Sequence, residues 1–241
     1  MKIFVFLIHL FSISFWANAQ NVVYDENAEV RNVAEFTGVE VSGTVSLYLS
    51  QGTTQGVAVS AGDLKYNNKI KTEVKNGVLH ISVDGGMWNG FNWTNKKLKA
   101  YVTVTNLKRI EASGATYVST SGIINSDDLK LEISGASEIK GELNVAKLNI
   151  DISGASVAKL TGRAGNARID ASGAATIGGY NFEIDTCKAN TSGASGVRVY
   201  VKDQLIADAS GGSFIYFKGA PLSTNLNSSA GSTIKNKTGS D

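Results

Sequence analysis

The sequence predicts an all-β protein of a particular kind, a right-handed parallel β-solenoid. Two observations carry this prediction: a short peptide recurs at near-constant spacing, and apolar and polar residues alternate around each copy. The peptide is Ser-Gly-Ala, which becomes Ser-Gly-Gly and then Ser-Ala-Gly towards the end of the chain. Its copies begin at Ser113, Ser134, Ser153, Ser172, Ser192, Ser210 and Ser229. The intervals are 21, 19, 19, 20, 18 and 19 residues, and such a regular period indicates one structural unit stacked upon itself.

The residues before each repeat serine alternate with a period of two, as in a strand with one buried face. Mostly apolar columns stand five positions before the serine (Lys108, Leu129, Leu148, Ala167, Cys187, Leu205, Thr224), three before it (Ile110, Leu131, Ile150, Ile169, Ala189, Ala207, Leu226) and one before it (Ala112, Ile133, Ile152, Ala171, Thr191, Ala209, Ser228). A coil of about 19 residues suits roughly three short strands joined by turns, stacked about 4.8 Å apart. Antiparallel hairpins closed into a barrel are the alternative, but identical columns favour parallel, in-register stacking.

The residues after each serine predict a corner. Glycine follows the serine in six of the seven repeats, and a positive φ costs little only for glycine. A column of small residues comes next, and we expect it to lie inside the corner, ahead of another strand. Its members are Ala115, Ala136, Ala155, Ala174, Ala194, Gly212 and Gly231.

The segment before the first repeat is predicted to be a looser β-region. Val39-Glu40-Val41-Ser42-Gly43 repeats the pattern of the later coils, so we expect a coil to begin there. Asn76-Gly77 is a strong two-residue hairpin turn inside the strand signal 70–83, which predicts some antiparallel pairing. The chain divides into a signal peptide (1–19), an N-terminal extension (20–35), this N-terminal β-region (36–112), the solenoid repeats (113–234) and a polar tail (235–241).

The first 19 residues have the pattern of a secretory signal peptide. Lys2 is basic, Ile3 to Trp16 forms an apolar run, and Ala17-Asn18-Ala19 is a small-x-small cleavage site. A membrane span is the alternative, but a span needs about 20 apolar residues and this run is shorter. We therefore expect an exported protein in the periplasm or at the cell surface, with no membrane span in the mature chain.

The composition argues against most catalytic and nucleic-acid-binding classes. A formal net charge of +2 gives no overall field that would attract nucleic acid. Beyond the signal peptide the chain has one cysteine, Cys187, and one histidine, His80, which is too few for a disulfide or a Cys/His zinc cluster. We expect Cys187 to be buried, His80 to be exposed on a strand, and the repeat serines to form a hydrogen-bonded ladder at the corner rather than a row of nucleophiles. No enzyme activity and no cofactor are predicted.

Two charged columns run side by side on the outward face of the strand before the corner. Acids and amides stand two positions before the serine (Glu111, Glu132, Asp151, Asp170, Asn190, Asp208, Asn227), and mostly basic residues four positions before it (Arg109, Lys130, Asn149, Arg168, Lys188, Ile206, Asn225). Like charges stacked about 5 Å apart repel by roughly 1 kcal/mol in water, so we expect the neighbouring columns to form ion pairs. The alternative hypothesis is a cation site on Glu111, Glu132, Asp151 and Asp170, because calcium prefers several oxygen ligands.

An aromatic loop is the sequence's best candidate for contacting a ligand. Trp88, Phe91 and Trp93 stand in a stretch rich in glycine and asparagine between two strands. Rings in such a loop can anchor a sugar or a protein partner. The alternative is that these rings cover one end of the core.

Several stretches resemble a known family, the secreted Bacteroidetes domain called "putative auto-transporter adhesin, head GIN domain". They are Phe36-Thr37-Gly38-Val39, Asn76-Gly77-Val78-Leu79-His80-Ile81, the serial Ser-Gly-Ala coils and the closing Gly219-Ala220-Pro221, together spanning about residues 30 to 235. The resemblance implies a β-helical architecture and an adhesin-like role. The functional expectation is therefore a non-catalytic envelope or surface protein that binds a glycan or a cell-surface protein. A periplasmic scaffold and a polysaccharide-degrading β-helix enzyme are the alternatives.

Overall fold

A computed structural model describes residues 25–84 and 97–239, and these residues are almost entirely strands. The strands of the N-terminal region are β1 (Glu29–Val30), β2 (Gly38–Val41), β3 (Ser46–Gln51), β4 (Gly56–Ser60), β5 (Ile70–Lys75), β6 (Val78–Val83), β7 (Lys99–Val104) and β8 (Arg109–Ala112). Those of the repeats are β9 (Tyr117–Ile133), β10 (Glu138–Ile152), β11 (Val157–Ala171), β12 (Thr176–Gly178), β13 (Phe182–Thr191), β14 (Gly196–Ala209), β15 (Phe214–Lys218), β16 (Ser223–Ser228) and β17 (Thr233–Asn236). The one helix of the described chain is a 3₁₀ turn, Leu64–Lys69.

The repeats form a parallel β-solenoid of about seven turns, which confirms the predicted fold class. β10 pairs in parallel with β9 on one side and β11 on the other, and the partners of Ile150 are Leu131 and Ile169, one repeat away in each direction. Each coil has three faces. We call the strand before the repeat serine face 1, the strand after it face 2, and the remaining segment face 3. The handedness of the coil stays a prediction.

The core is a stack of the inward columns that the sequence predicts. Leu131, Ile150 and Ile169 are fully buried, as are their equivalents from Ile110 to Ala207. Lys108 is the exception at the start, where Leu107 is buried in its place. In the last coil, β16 is exposed along its whole length because no further coil covers it. Among the described residues no helix is long and apolar enough to cross a membrane.

Stacked glycines define the corner between faces 1 and 2. The amide of Ala115 donates a hydrogen bond to the carbonyl of Gly43, 2.8 Å away, and the next four coils, as far as Ala194, repeat this bond one level down. Gly114 has a φ of +85°, and a Cβ placed on it would lie 2.7 Å from that same carbonyl oxygen. Only glycine satisfies both conditions, since real Cβ atoms do not approach backbone so closely. The Ser-Gly pair recurs because the corner of each coil rests directly on the corner of the preceding coil.

The prediction for the small residues after this glycine was wrong by one position. The alanines at 115, 136, 155, 174 and 194 are exposed, and the column that enters the corner is the next one. Its members are Thr116, Ser137, Ser156, Ala175, Ser195 and Ser213, all buried. The Ser137 hydroxyl donates to the carbonyl of Ser134 at 2.8 Å, and the Ser195 hydroxyl to that of Ser192 at 2.9 Å. A buried hydroxyl closes the tight turn because it satisfies a carbonyl that the corner removes from the strand ladder.

The N-terminal region adds coils to the same stack, as predicted. β2 pairs in parallel with β8, and Val39, Glu40 and Val41 stand beside Ile110, Glu111 and Ala112. β6 and β7 form the level above, since β6 pairs with β2 and β7 with β3. The predicted antiparallel pairing is confirmed in β5–β6 and in β4–β7. The β5–β6 turn uses Asn76 and Gly77, both with positive φ.

A buried carboxylate fastens the start of the described chain to the outer edge of face 2. Asp25 accepts hydrogen bonds from the Lys99 ammonium at 2.9 Å and the Tyr101 hydroxyl at 2.8 Å on β7, and from the Ser60 hydroxyl at 3.0 Å on β4. Burial alone would raise the pKa of Asp25, but these bonds and one from the Asn27 amide outweigh it and lower the pKa to about 2. The carboxylate is therefore ionised at neutral pH and holds the segment that carries β1 against β4.

We expect Gly114→Ala to destabilise the protein more than any alanine substitution at a glycine with free space around it. The positive φ costs about 1–2 kcal/mol for a non-glycine residue, and moving the coil above costs about 1–3 kcal/mol more. Equilibrium denaturation gives the free energy of unfolding.

Two matched variants separate these costs. Gly77→Ala has a positive φ but nothing within 4 Å of the added methyl group, and Gly56→Ala has neither constraint. The account requires the order Gly114 > Gly77 > Gly56 in loss of stability. Equal losses at Gly114 and Gly77 would show that close approach between coils does not matter.

Candidate functional site

A groove runs along the solenoid on the outside of the corner, where face 1 meets the stacked turns. It has a volume of about 670 Å³ and extends from Glu111 in the first full coil to Ser229 in the last. Three columns line it: the acids and amides two before each serine, the residues one before it, and the repeat serines themselves. We call this feature the corner groove. Its walls repeat because every coil presents the same positions in register.

The acidic column is partly neutralised by the basic column beside it, as the sequence predicts. Arg109 pairs with Glu111 on its own strand and with Glu132 in the next coil at 2.8 Å. Lys130 pairs with Glu132 at 3.0 Å and reaches Asp151 at 3.9 Å, and Arg168 pairs with Asp170 at 2.8 Å. These ion pairs are half-exposed and individually weak, but they remove the repulsion that a bare ladder of carboxylates would suffer.

Amides and a histidine continue the column beyond the carboxylates. The Asn190 side chain donates to Asp170, and that of Asn227 donates to Asp208 at 2.8 Å. At the other end of the column, Glu40 stands beside Glu111 in the parallel ladder. The Nδ1 atom of His80 lies 2.8 Å from the carboxylate of Glu40. His80 is therefore half-buried and paired with Glu40 rather than simply exposed. The acceptors of this column are held in fixed positions along the groove.

The repeat serines present free hydroxyl groups, which corrects the predicted hydrogen-bonded ladder. Among the described residues, only Ser210 of this column uses its hydroxyl in a bond, to the carbonyl of Thr191 at 3.4 Å. The corner hydrogen bonds come instead from the hydroxyl column three positions later. The pattern Ser-x-x-Ser, as in Ser134 to Ser137 and Ser192 to Ser195, could have predicted these corner hydrogen bonds from the sequence. The hydroxyls of Ser134, Ser153, Ser172 and Ser192 are therefore left to face the groove.

The remaining residues named by the sequence lie elsewhere. Cys187 is fully buried in the core, where burial raises the pKa of its thiol to about 12, so the thiol is unreactive as expected. Trp88, Phe91 and Trp93 lie in 85–96, outside the described residues, and the signal peptide lies outside them as well.

A second depression of about 690 Å³ lies between faces 3 and 1, and some of the polar groups in it and beside it are already paired. The Asn144 side chain donates to that of Asn125 at 2.9 Å, and Lys147 nearby pairs with Asp128 at 3.1 Å. The corner groove differs because, in the described part of the chain, its repeat-serine hydroxyls other than that of Ser210 have no partner. It is accordingly the better candidate for binding.

The chemistry of the corner groove suits recognition of a hydroxyl-rich ligand. Serine hydroxyls both donate and accept, and carboxylates accept. These hydroxyl and carboxylate groups recur from coil to coil, and neighbouring coils are about 4.8 Å apart. Together, the fold and the groove define a repetitive β-solenoid with an extended groove whose lining repeats from coil to coil.

The chain belongs to the family described as "Putative auto-transporter adhesin, head GIN domain", whose model matches residues 35–221. This confirms the resemblance drawn from the sequence. No protein with a curated description matches the chain.

Solved structures share the fold. A putative adhesin from Bacteroides fragilis NCTC 9343 superposes with a TM-score of 0.80 at 24% identity, covering 87% of this chain and 95% of that one. A putative adhesin from Parabacteroides distasonis ATCC 8503 gives 0.68 at 18% identity, with coverages of 87% and 95%. A putative lipid binding protein from the same organism gives 0.64 at 17% identity, with coverages of 88% and 98%. At these identities the likeness extends to the fold alone.

We expect calcium to leave the thermal stability unchanged. Arginine and lysine already engage the carboxylates of Glu111, Glu132 and Asp170, and the described residues contain no cluster of three or more metal-type ligands. Thermal unfolding at millimolar calcium, with magnesium at equal ionic strength as control, measures this. An upward shift of the midpoint with calcium alone would restore the cation site proposed from the sequence.

Proposed function

We propose that this protein is an exported, adhesin-like envelope protein that binds an extended glycan in the corner groove. The observation that carries the proposal is the row of free serine hydroxyls beside a column of fixed carboxylates and amides, repeated from coil to coil. Membership of a family described as an adhesin supports a binding role at a surface.

A glycan suits the groove better than a globular protein partner. Its repeating hydroxyl groups can form the same hydrogen bonds at successive coils, and partial charge neutralisation by Arg109, Lys130 and Arg168 leaves the carboxylates as acceptors rather than as a strong negative field. An uncharged glycan also avoids repulsion from Asp151, whose side chain is about half exposed and whose nearest cation is 3.9 Å away. The ligand is therefore proposed to be neutral and linear.

The chemistry proposed is binding without turnover. Glycoside cleavage requires two carboxyl groups in distinct environments, whereas Glu111, Glu132 and Asp170 are each paired with a cation of the neighbouring column. The aromatic segment with Trp88, Phe91 and Trp93 stays a separate proposal from the sequence, to be tested by its own substitutions.

We predict that the double variant Ser153→Ala, Ser172→Ala weakens glycan binding about tenfold or more, since each lost hydrogen bond removes roughly 0.5–1.5 kcal/mol. A glycan array, followed by calorimetry on the best neutral polysaccharide, measures the affinity. Ser121→Ala is the matched control, because Ser121 is an exposed serine on β9 away from the groove. If the double variant binds as well as the wild type, the groove is not the binding site.

Surface location predicts that protease added to intact cells of the source degrades the protein, while an internal periplasmic marker survives. Degradation only after the envelope is opened would place the protein in the periplasm. That outcome would favour the scaffold interpretation over an adhesin.

A further inference from the structure

Face 2 carries, in its last coils, a surface of cations and aromatic rings that the corner groove does not use. Its outward positions stack in register: Arg198 stands beside Tyr216, which stands beside Lys235. The cations of this surface are Arg198, Lys218, Lys235 and Lys237, and the rings are Tyr180, Tyr200, Phe214 and Tyr216. No acidic residue occurs in the four segments that form this part of face 2, which are 176–180, 196–200, 214–218 and 233–237. We call this surface the basic–aromatic patch.

The rings of the patch hold the cations in place. The Arg198 guanidinium lies 4.6 Å from the centroid of Phe214 and 5.9 Å from that of Tyr216, and the two rings stack with centroids 4.6 Å apart. The Lys237 ammonium lies 5.0 Å from the Tyr216 centroid, and that of Lys218 lies 4.9 Å from the Tyr180 centroid. Cations are attracted to ring faces, so Arg198, Lys218 and Lys237 are ordered before any ligand arrives.

No carboxylate compensates these charges. Within residues 25–84 and 97–239, none of Arg198, Lys218, Lys235 and Lys237 forms an ion pair. Other cations of the solenoid do form ion pairs, such as Lys159 with Glu138 at 2.7 Å and Lys202 with Asp185 at 3.3 Å. The patch is thus a local positive surface on a chain whose overall charge is close to neutral.

A gap beside Arg198 leaves room for an anionic group. Ile177 pairs with Val197, and continuing this register by one residue places Gly178 next to Arg198 in the coil above; a Cβ built on Gly178 meets no atom within 4 Å. Tyr216 occupies the neighbouring position in the coil below. The guanidinium therefore rests on aromatic rings below and is open towards Gly178.

We propose that the basic–aromatic patch binds an acidic polysaccharide, one that carries carboxylate or sulfate groups along an extended chain. Coils about 4.8 Å apart offer a cation at three successive levels, which suits a polymer with repeated charges. The rings of Phe214 and Tyr216 already contact cations and each other, which leaves less ring surface for stacking on nucleic acid bases. The exposed large apolar side chains of the described chain, such as Leu222 and Leu226, lie outside the patch, so it lacks the apolar groups that would enter a membrane.

This site is separate from the corner groove. The patch is on face 2 and positive, whereas the groove lies at the corner and is lined by acids, so the two would select ligands of different charge. The double serine variant of the groove leaves the patch intact, and loss of one activity without the other distinguishes them.

The test uses Gly178→Glu, which places a carboxylate beside Arg198 without removing any ring or cation. Gly178→Gln is the matched control, with the same shape and no charge, and both side chains have open space. The probes are heparin for sulfate and polygalacturonate for carboxylate, with neutral dextran as blank. We expect the wild type to bind at least one acidic probe in a salt-dependent manner, Gly178→Glu to bind at least tenfold more weakly, and Gly178→Gln to stay within threefold of the wild type.

A further control and two competing ligands make the result decisive. Lys147→Gln removes a cation that is paired with Asp128 on another face, and it should leave the affinity unchanged. Equal thermal midpoints for all variants show that folding is not the cause. The proposal is overturned if neither acidic polysaccharide binds at low ionic strength, if Gly178→Glu binds like Gly178→Gln, or if single-stranded DNA or anionic vesicles bind more tightly than both polysaccharides.

Discussion

The contact on which this structure depends is the one between successive glycines at the corner. At five successive corners, from Ala115 to Ala194, an amide donates to the glycine carbonyl of the preceding coil, and a Cβ on the adjacent glycine would lie within 2.9 Å of that same carbonyl oxygen. This bond fixes both the distance and the register between coils, because a slip of one residue would bring a side chain into the space that only hydrogen can occupy. The parallel ladders on all three faces then extend from a corner whose position is already determined.

Because the coils stack in register, each outward column of the surface repeats a similar residue type at the spacing between neighbouring strands. An acidic column would repel itself, and here an adjacent basic column pairs with it across coils, as Arg109 does with Glu132. Further along the column, amides take over from the cations: Asn190 bonds to Asp170, which Arg168 also pairs, and Asn227 bonds to Asp208. In the last coils of face 2 the cations are held by aromatic rings and keep their charge uncompensated. One architecture therefore produces both a balanced groove and a positive patch.

The sequence predicted the repeats well because a fixed period and a two-residue alternation leave few other solutions. It predicted the inward columns, the hairpin at Asn76-Gly77 and the coil that begins at Val39. It placed the small column one residue early, because alanine is small enough for either side of a corner and only the backbone geometry decides. The sequence did not predict the route of β7, which stacks on β3 although forty-seven residues separate Lys99 from Gln51, because a pairing between strands so far apart in the chain leaves no local pattern in the sequence. The sequence did not predict the basic–aromatic patch, because its cation–ring contacts join residues from different coils.

The most direct test of this account is to remove one complete coil. Deleting residues 153–171 joins Ile152 to Ser172, so the corner at Gly173 would rest on that of Gly135 as it now rests on that of Gly154. If each coil docks on the last through the same contacts, the shortened chain folds cooperatively, keeps its β-sheet circular dichroism and loses only part of its stability, as in other repeat proteins. A shortened chain that fails to fold, while the full-length protein folds under the same conditions, would contradict the claim that the coils are interchangeable and that the glycine corner sets their register.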